Sequence, residues 1–137
     1  MKIFVDTCAF CAIAVPGDSH NARAKEIFSQ VRDQGHIFTS NFVLDELYTL
    51  LNARSGHRQA VLFMDSFEKA GITLLKVTDA IESHAAMIFR KHDIPRLSYT
   101  DCTSFALINA HRLDHAFSFD SHFSFFRFNH SVTVLGV

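Results

Sequence analysis

The feature that most constrains this 137-residue chain is a recurring pattern of short apolar runs that halt at a polar residue and give way to helical periodicity. Ile3-Phe4-Val5 stops at Asp6, and Ala116-Phe117-Ser118-Phe119 stops at Asp120. Such runs read as short strands buried on both faces. The pattern predicts strands at Ile3–Val5, His36–Thr39, Ile72–Lys76, His115–Phe119 and Ser131–Leu135. Between them it predicts helices from about Cys8 to Ala14, then from a cap at Ser19 to about Arg32, with Ala24, Ile27, Phe28 and Val31 facing inward. A further helix runs from a cap at Ser40 or Asn41 to about Arg54 and ends at Gly56. His57–Lys69, an acid-led helix from Asp79 and Glu82 to Lys91, and one capped by Ser98 and reaching Arg112 complete the set. Strands alternating with helices imply an α/β fold, three layers deep, with a mainly parallel central sheet.

In open sheets of this kind, ligands bind outside the carboxyl ends of the strands. Asp6 and Asp120 follow strands directly, so both are expected at that edge. Glu46 lies in the second turn of the helix entered after the second strand, and Asp101 in the first turn of the helix capped near Ser98. At about 100° per residue, Glu46 borders the stripe of Val43, Leu47, Leu50 and Leu51, whereas Asp45 falls on the polar side. Asp101 borders a stripe of Cys102, Phe105 and Ala106. Both acids therefore point into a crevice.

Four carboxylates brought within a few Å repel one another, each close pair by on the order of 4 kcal/mol at an effective dielectric of about 20. Protons or a cation must relieve that repulsion. Oxygen-only donors favour hard ions such as Mg²⁺ or Mn²⁺, and such an ion supports hydrolysis of a phosphodiester. The charge balance is compatible with a nucleic-acid substrate. Thirteen Lys and Arg face 14 acids, so setting four acids aside leaves the remainder at about +3.

Val5-Asp6-Thr7, Thr39-Ser40 leading into Glu46, Ser98-Tyr99-Thr100-Asp101, and Ser118-Phe119-Asp120-Ser121-His122-Phe123 together resemble a PIN domain, most closely the VapC-type toxins of prokaryotic toxin–antitoxin modules. The four motifs occur in order and span essentially the whole chain. The resemblance implies a PIN-like α/β/α fold over residues 1–137 as one domain. It also implies Mg²⁺- or Mn²⁺-dependent endonuclease action on single-stranded or structured RNA. It assigns the acidic roles to Asp6, Glu46, Asp101 and Asp120, with Thr7 and Ser121 as supporting polar positions. Cys8 stands where relatives often carry Ser or Asn. Homodimerisation and inhibition by a small antitoxin are further implications.

Other features have plainer readings. Three cysteines are too few for a disulfide framework. No apolar stretch approaches the ~20 residues of a membrane span, and Asp6 interrupts any signal peptide. A cytoplasmic setting, with no membrane partner, is the expectation. Cys8-x-x-Cys11 and His111-x-x-x-His115 read as packing and not as metal sites. Asn109 reads as a satisfied buried amide, and the Phe117–Phe128 cluster as core more than as a base-stacking surface. Asp101, three residues after Ser98, also fits a capping box. Arg90, Lys91, His92 and Arg96 form the densest basic stretch, with Arg54, Arg58 and Arg127 as weaker phosphate contacts. The rival readings are a non-cleaving PIN-like module that binds RNA or protein, and a haloacid-dehalogenase-type phosphatase. The latter wants a second Asp two residues after Asp6, where this chain has Cys8.

Overall fold

The computed structural model describes residues 1–137. The chain runs β1 (Lys2–Val5), α1 (Thr7–Ala14), α2 (Asn21–Gln34), β2 (His36–Ser40), α3 (Asn41–Ser55), α4 (His57–Lys69), β3 (Thr73–Leu75), α5 (Asp79–Lys91), α6 (Tyr99–His111), β4 (His115–Phe117), α7 (His122–Phe125) and β5 (Thr133–Leu135). The strands form one sheet in the order β3-β2-β1-β4-β5, every neighbouring pair parallel. The β1–β2 and β2–β3 crossovers travel one way across the sheet and the β3–β4 crossover returns. With right-handed connections, α1–α4 and α5–α6 therefore cover opposite faces. That is the three-layer α/β/α arrangement expected from the sequence.

β1 lies at the centre, with Ile3, Phe4 and Val5 wholly buried. This is the double burial that a near-continuous apolar run predicts. On the β4 side, the side chain of Phe105 from α6 stacks on Phe126 at 4.3 Å between ring centroids and meets Phe123 and Phe128 edge-on. Most of the phenylalanine cluster is thus core or packed against it, as expected; Phe125, 72% exposed, is the exception. Asn109 is buried and its side-chain oxygen accepts the Asn129 N–H at 2.9 Å.

Local chemistry sets the element ends. Ser40 caps α3 by accepting the Val43 N–H, and Thr78 caps α5 by accepting that of Ile81. Gly56 alone joins α3 to α4, and its φ of +90° is one that a side-chain-bearing residue adopts only under strain. Gly136 (φ +104°) brings the end of β5 against β4 so closely that a Cβ there would stand 2.6 Å from the Ser118 carbonyl oxygen.

Several boundaries differ from the sequence reading. Ser19 does not cap α2, which is preceded by His20 with no side-chain cap. β4 stops at Phe117, so Asp120 is not at a strand end but three residues on, in the turn before α7. The run His122–Phe125 is a short helix where only an aromatic cluster was foreseen. β3 and β5 are trimmed to three residues each. Asp101 does not border a stripe on α6, because residues Asp101 to Asn109 are all buried.

Candidate active site

The sheet order reverses direction at β1. Its neighbour β2 follows it in the chain, whereas β4 arrives from the far end of the sequence. A crevice opens at such a switch point, outside the carboxyl ends of the strands. A cavity there is lined by Asp6, Thr7, Cys8, Glu46, Leu50, Arg96, Ser98, Asp101 and Asp120. Asp6 comes from the end of β1, Glu46 from α3, Asp101 from the first turn of α6, and Asp120 from the turn beyond β4. All four acids singled out in the sequence therefore line one pocket. Glu46 is half-buried while Asp45 is exposed, as the helical geometry predicts.

The two supporting positions separate. Thr7 is buried in the pocket wall and its hydroxyl has no hydrogen-bond partner. Ser121 is exposed, its side chain makes no cap bond to α7, and it is not among the lining residues.

Residues that sequence reasoning passed over organise the carboxylates. The Ser118 hydroxyl, wholly buried, donates to Asp6 Oδ2 at 3.0 Å and accepts the Asp120 backbone N–H at 3.0 Å. It thereby joins the ends of β1 and β4. Cys8 Sγ donates to the same Asp6 oxygen at 3.2 Å, contacts Ser118 Oγ at 3.3 Å and accepts the Phe119 N–H. The cysteine is thus part of the pocket's hydrogen-bonding, not the packing residue of the sequence reading. Cys11, by contrast, is buried and accepts from Arg54. Ser98 and Asp101 form a reciprocal capping box, the serine hydroxyl accepting the Asp101 N–H at 2.9 Å and the carboxylate accepting the Ser98 N–H. Capping and pocket-lining are one residue's two contacts. His122 Nδ1 lies 2.9 Å from Asp120 Oδ1 and 3.6 Å from Asp101 Oδ2.

Arg96, from the basic stretch, reaches the pocket, and its φ of +66° is a left-handed backbone angle that few side-chain-bearing residues take up. Arg54 is engaged elsewhere, pairing with Asp18 at 3.1 Å. His115 pairs with Asp114, and His111 is exposed at the end of α6, so the two share no ligand-like face.

The electrostatics follow from burial. Desolvation, aided by the Glu46 charge and opposed by hydrogen bonds from Cys8, Thr7 and Ser118, pushes the Asp6 carboxyl up to about 6. Desolvation followed by the charges of Asp6 and Asp120 pushes Asp101 up to about 7. Burial and the neighbouring Asp6 charge raise the Cys8 thiol, so it stays protonated and serves as a donor. Burial alone would lower the His122 imidazole, but the adjacent Asp120 charge outweighs it and raises the group.

The mutual repulsion of the acids and their oxygen-rich donor set fit a hard divalent cation. Asp101, Asp120 and His122 offer donor atoms that all lie within 4.8 Å of one another.

The PIN-domain family model matches residues 3–129. The chain belongs to the PIN-domain family. It is 35% identical over 122 residues to the 23S rRNA-specific endonuclease VapC20 of Mycobacterium tuberculosis, covering 89% of this chain and 92% of that protein. The crystal structure of that VapC20, described as a Sarcin-Ricin loop cleaving toxin, superposes with a TM-score of 0.83 at 34% identity over the same shares of the two chains. VapBC2 from Rickettsia felis, bound to a DNA fragment of its promoter, gives a TM-score of 0.71 at 13% identity, covering 98% of this chain and 97% of that one. At that identity it speaks for the fold alone. This PIN domain therefore pairs the expected architecture with a carboxylate-lined crevice at the expected edge of the sheet. No helix in it is long and apolar enough to cross a membrane.

Proposed function

We propose that this PIN-domain protein is a divalent-metal-dependent endoribonuclease of the VapC type, the toxin of a toxin–antitoxin pair, with ribosomal RNA as its substrate class. The observation that carries the reading is the convergence of Asp6, Glu46, Asp101 and Asp120 on one pocket in a chain 35% identical to a 23S rRNA-specific endonuclease. A small antitoxin as partner is supported by the naming of VapC20 as a toxin.

Asp6, Asp101 and Asp120 would hold the ion, either Mg²⁺ or Mn²⁺, with Glu46 binding it or its water. When bound, the ion acidifies a water and offsets the charge that builds on the phosphate and the leaving oxygen. The chain supplies the rest. Cys8 and Ser118 fix the Asp6 carboxylate through Oδ2, leaving its other oxygen for the pocket. Glu46, half-buried at the cavity wall, is suited to accept the proton released as water adds to phosphorus and the P–O ester bond breaks. Arg96 presents a guanidinium to the scissile phosphate's oxygens. Leu50 borders the same cavity with apolar surface.

The direct test incubates the purified protein with intact ribosomes and maps new RNA ends. Discrete cuts that require Mn²⁺ or Mg²⁺ and disappear with a chelator are expected. A folded protein that gains no thermal stability from Mn²⁺ and cuts nothing would favour a module that binds without cutting; cleavage that survives chelation would overturn the metal role.

Ser118 provides a finer test. Ser118→Ala leaves Asp6 Oδ2 held by Cys8 alone and strands the Asp120 N–H. Groups that orient metal ligands are worth roughly 10- to 100-fold in affinity or activity. A tenfold or greater loss of Mn²⁺ affinity by calorimetry, with cleavage falling in step, is the expected result.

A further inference from the structure

The geometry points to His122 as a nitrogen ligand of the active-site ion, making the centre a mixed carboxylate–imidazole site and not one of oxygen alone. The inference rests on the metal-nuclease reading above and adds a donor to it.

Three observations converge on the imidazole. First, its tautomer is set from outside the site. Nε2 lies 3.0 Å from the Pro95 carbonyl oxygen, and a carbonyl only accepts, so Nε2 carries the hydrogen. In the neutral ring, Nδ1 then presents a lone pair. A histidine that donates one ring N–H to a backbone carbonyl and turns the other nitrogen inward has the arrangement typical of metal-ligating histidines.

Second, Nδ1 is sealed from solvent and has no hydrogen-bond partner. It stands 2.9 Å from Asp120 Oδ1 and 3.6 Å from Asp101 Oδ2, yet neither contact has the alignment of a hydrogen bond. A lone pair facing two carboxylate oxygens is repulsive unless a positive charge lies among them, a proton on Nδ1 in the metal-free protein or the ion that displaces it. Adjacent ligands of a six-coordinate ion with bonds of about 2.1 Å stand roughly 3 Å apart, which is the spacing seen between Nδ1 and Asp120.

Third, the backbone holds the ring in place. The His122 N–H donates to Asp120 Oδ1 at 2.9 Å, and His122 opens α7, whose Phe123 is anchored against Phe105 in the core. The carboxylate and the imidazole therefore form one rigid turn, already shaped before an ion arrives.

A nitrogen donor has a chemical consequence. Mg²⁺ strongly prefers oxygen, whereas Mn²⁺ and the later first-row ions accept imidazole. The centre should hold Mn²⁺ more tightly than Mg²⁺, and His122 should supply much of the difference.

Pulsed electron paramagnetic resonance on the Mn²⁺-loaded wild-type protein tests this without reference to activity. A ¹⁴N coupling of the size given by a directly bound imidazole is expected. Calorimetric titration of His122→Asn should then show a loss of Mn²⁺ affinity of about tenfold or more, with Mg²⁺ affinity far less affected, so that the Mn²⁺ to Mg²⁺ preference collapses. The wild-type spectrum stands on its own even where the variant folds poorly. Bound Mn²⁺ with RNA cleavage but no nitrogen coupling would overturn the assignment and leave the nuclease reading intact. Equal losses for both ions in a folded His122→Asn would also overturn it. Failure of the wild type to bind Mn²⁺ at all would overturn the assignment together with the metal-nuclease reading.

Discussion

Replacing Asp6 by asparagine is expected to lower RNA cleavage at least about 10³-fold in a metal-replete assay, a loss of roughly 4 kcal/mol of transition-state stabilisation. Asparagine keeps the shape and one acceptor oxygen, so the bonds from Cys8 and Ser118 can persist. What disappears is a full negative charge at the junction of β1 and α1. The neutral amide is a poor ligand for a hard cation. The same substitution should leave the metal-free protein at least as stable as the wild type near neutral pH, because it removes a carboxylate whose ionised form is opposed by burial and by Glu46. Loss of activity together with retained or raised thermal stability separates an ion-binding role from a structural one. Full activity in the folded variant would refute the assignment of Asp6 to the ion.

The extent to which this architecture could be read from the sequence follows the range of the interactions involved. Strands such as Ile3–Val5 were legible because burial on both faces demands an unbroken apolar run. The start of α3 was legible because a serine cap is a local event. Choosing Glu46 over Asp45 needed only helix geometry. The misreadings arose where a neighbour distant in sequence decides the outcome. β4 ends at Phe117, and just beyond it the Ser118 hydroxyl and the Phe119 N–H bond to the Asp6 and Cys8 side chains more than 100 residues earlier. No local signal at Ser118 shows that its hydroxyl joins the Asp6 carboxylate to the Asp120 backbone. Cys8 looked like half of a C-x-x-C pair, yet its sulfur meets Ser118 and Phe119 and Cys11 turns away to Arg54. His122 sits inside one of the motifs that carried the family resemblance, but its tautomer depends on the Pro95 carbonyl, which lies in another part of the chain. Asp101 presented a choice between capping box and site residue that the structure dissolves. The cap points the carboxylate into the crevice.

The concentration of buried acids also dictates how stability should vary with pH. Asp6, at about 6, and Asp101, at about 7, both lie above the ordinary value of 3.8 that they regain on unfolding. Between about pH 4 and 7 the folded protein therefore holds more protons than the unfolded chain, and stability falls as pH rises through that window. His122, also raised in the folded state, adds to the same slope. Its stabilising contribution is present below its unfolded value and is lost as the folded group deprotonates. Above pH 5 about one pH unit of the Asp6 displacement and two of the Asp101 displacement remain to be lost, on the order of 4 kcal/mol at 1.36 kcal/mol per unit, enough to move the unfolding midpoint by several degrees or more. A divalent ion binds the deprotonated carboxylates, so it competes with protons and restores what the rise in pH removes. Metal-free protein is accordingly expected to melt several degrees lower at pH 8 than at pH 5. Saturating Mn²⁺ should do little at pH 5 and recover most of that difference at pH 8. Asp6→Asn should flatten the metal-free slope and blunt the Mn²⁺ effect, since it deletes one of the titrating groups and one of the ligands. Thermal melts across this range, with and without the ion, decide the matter. Stability that climbs from pH 5 to 8 without metal, or an Mn²⁺ gain equal at both ends, would mean that these carboxylates do not share a desolvated site.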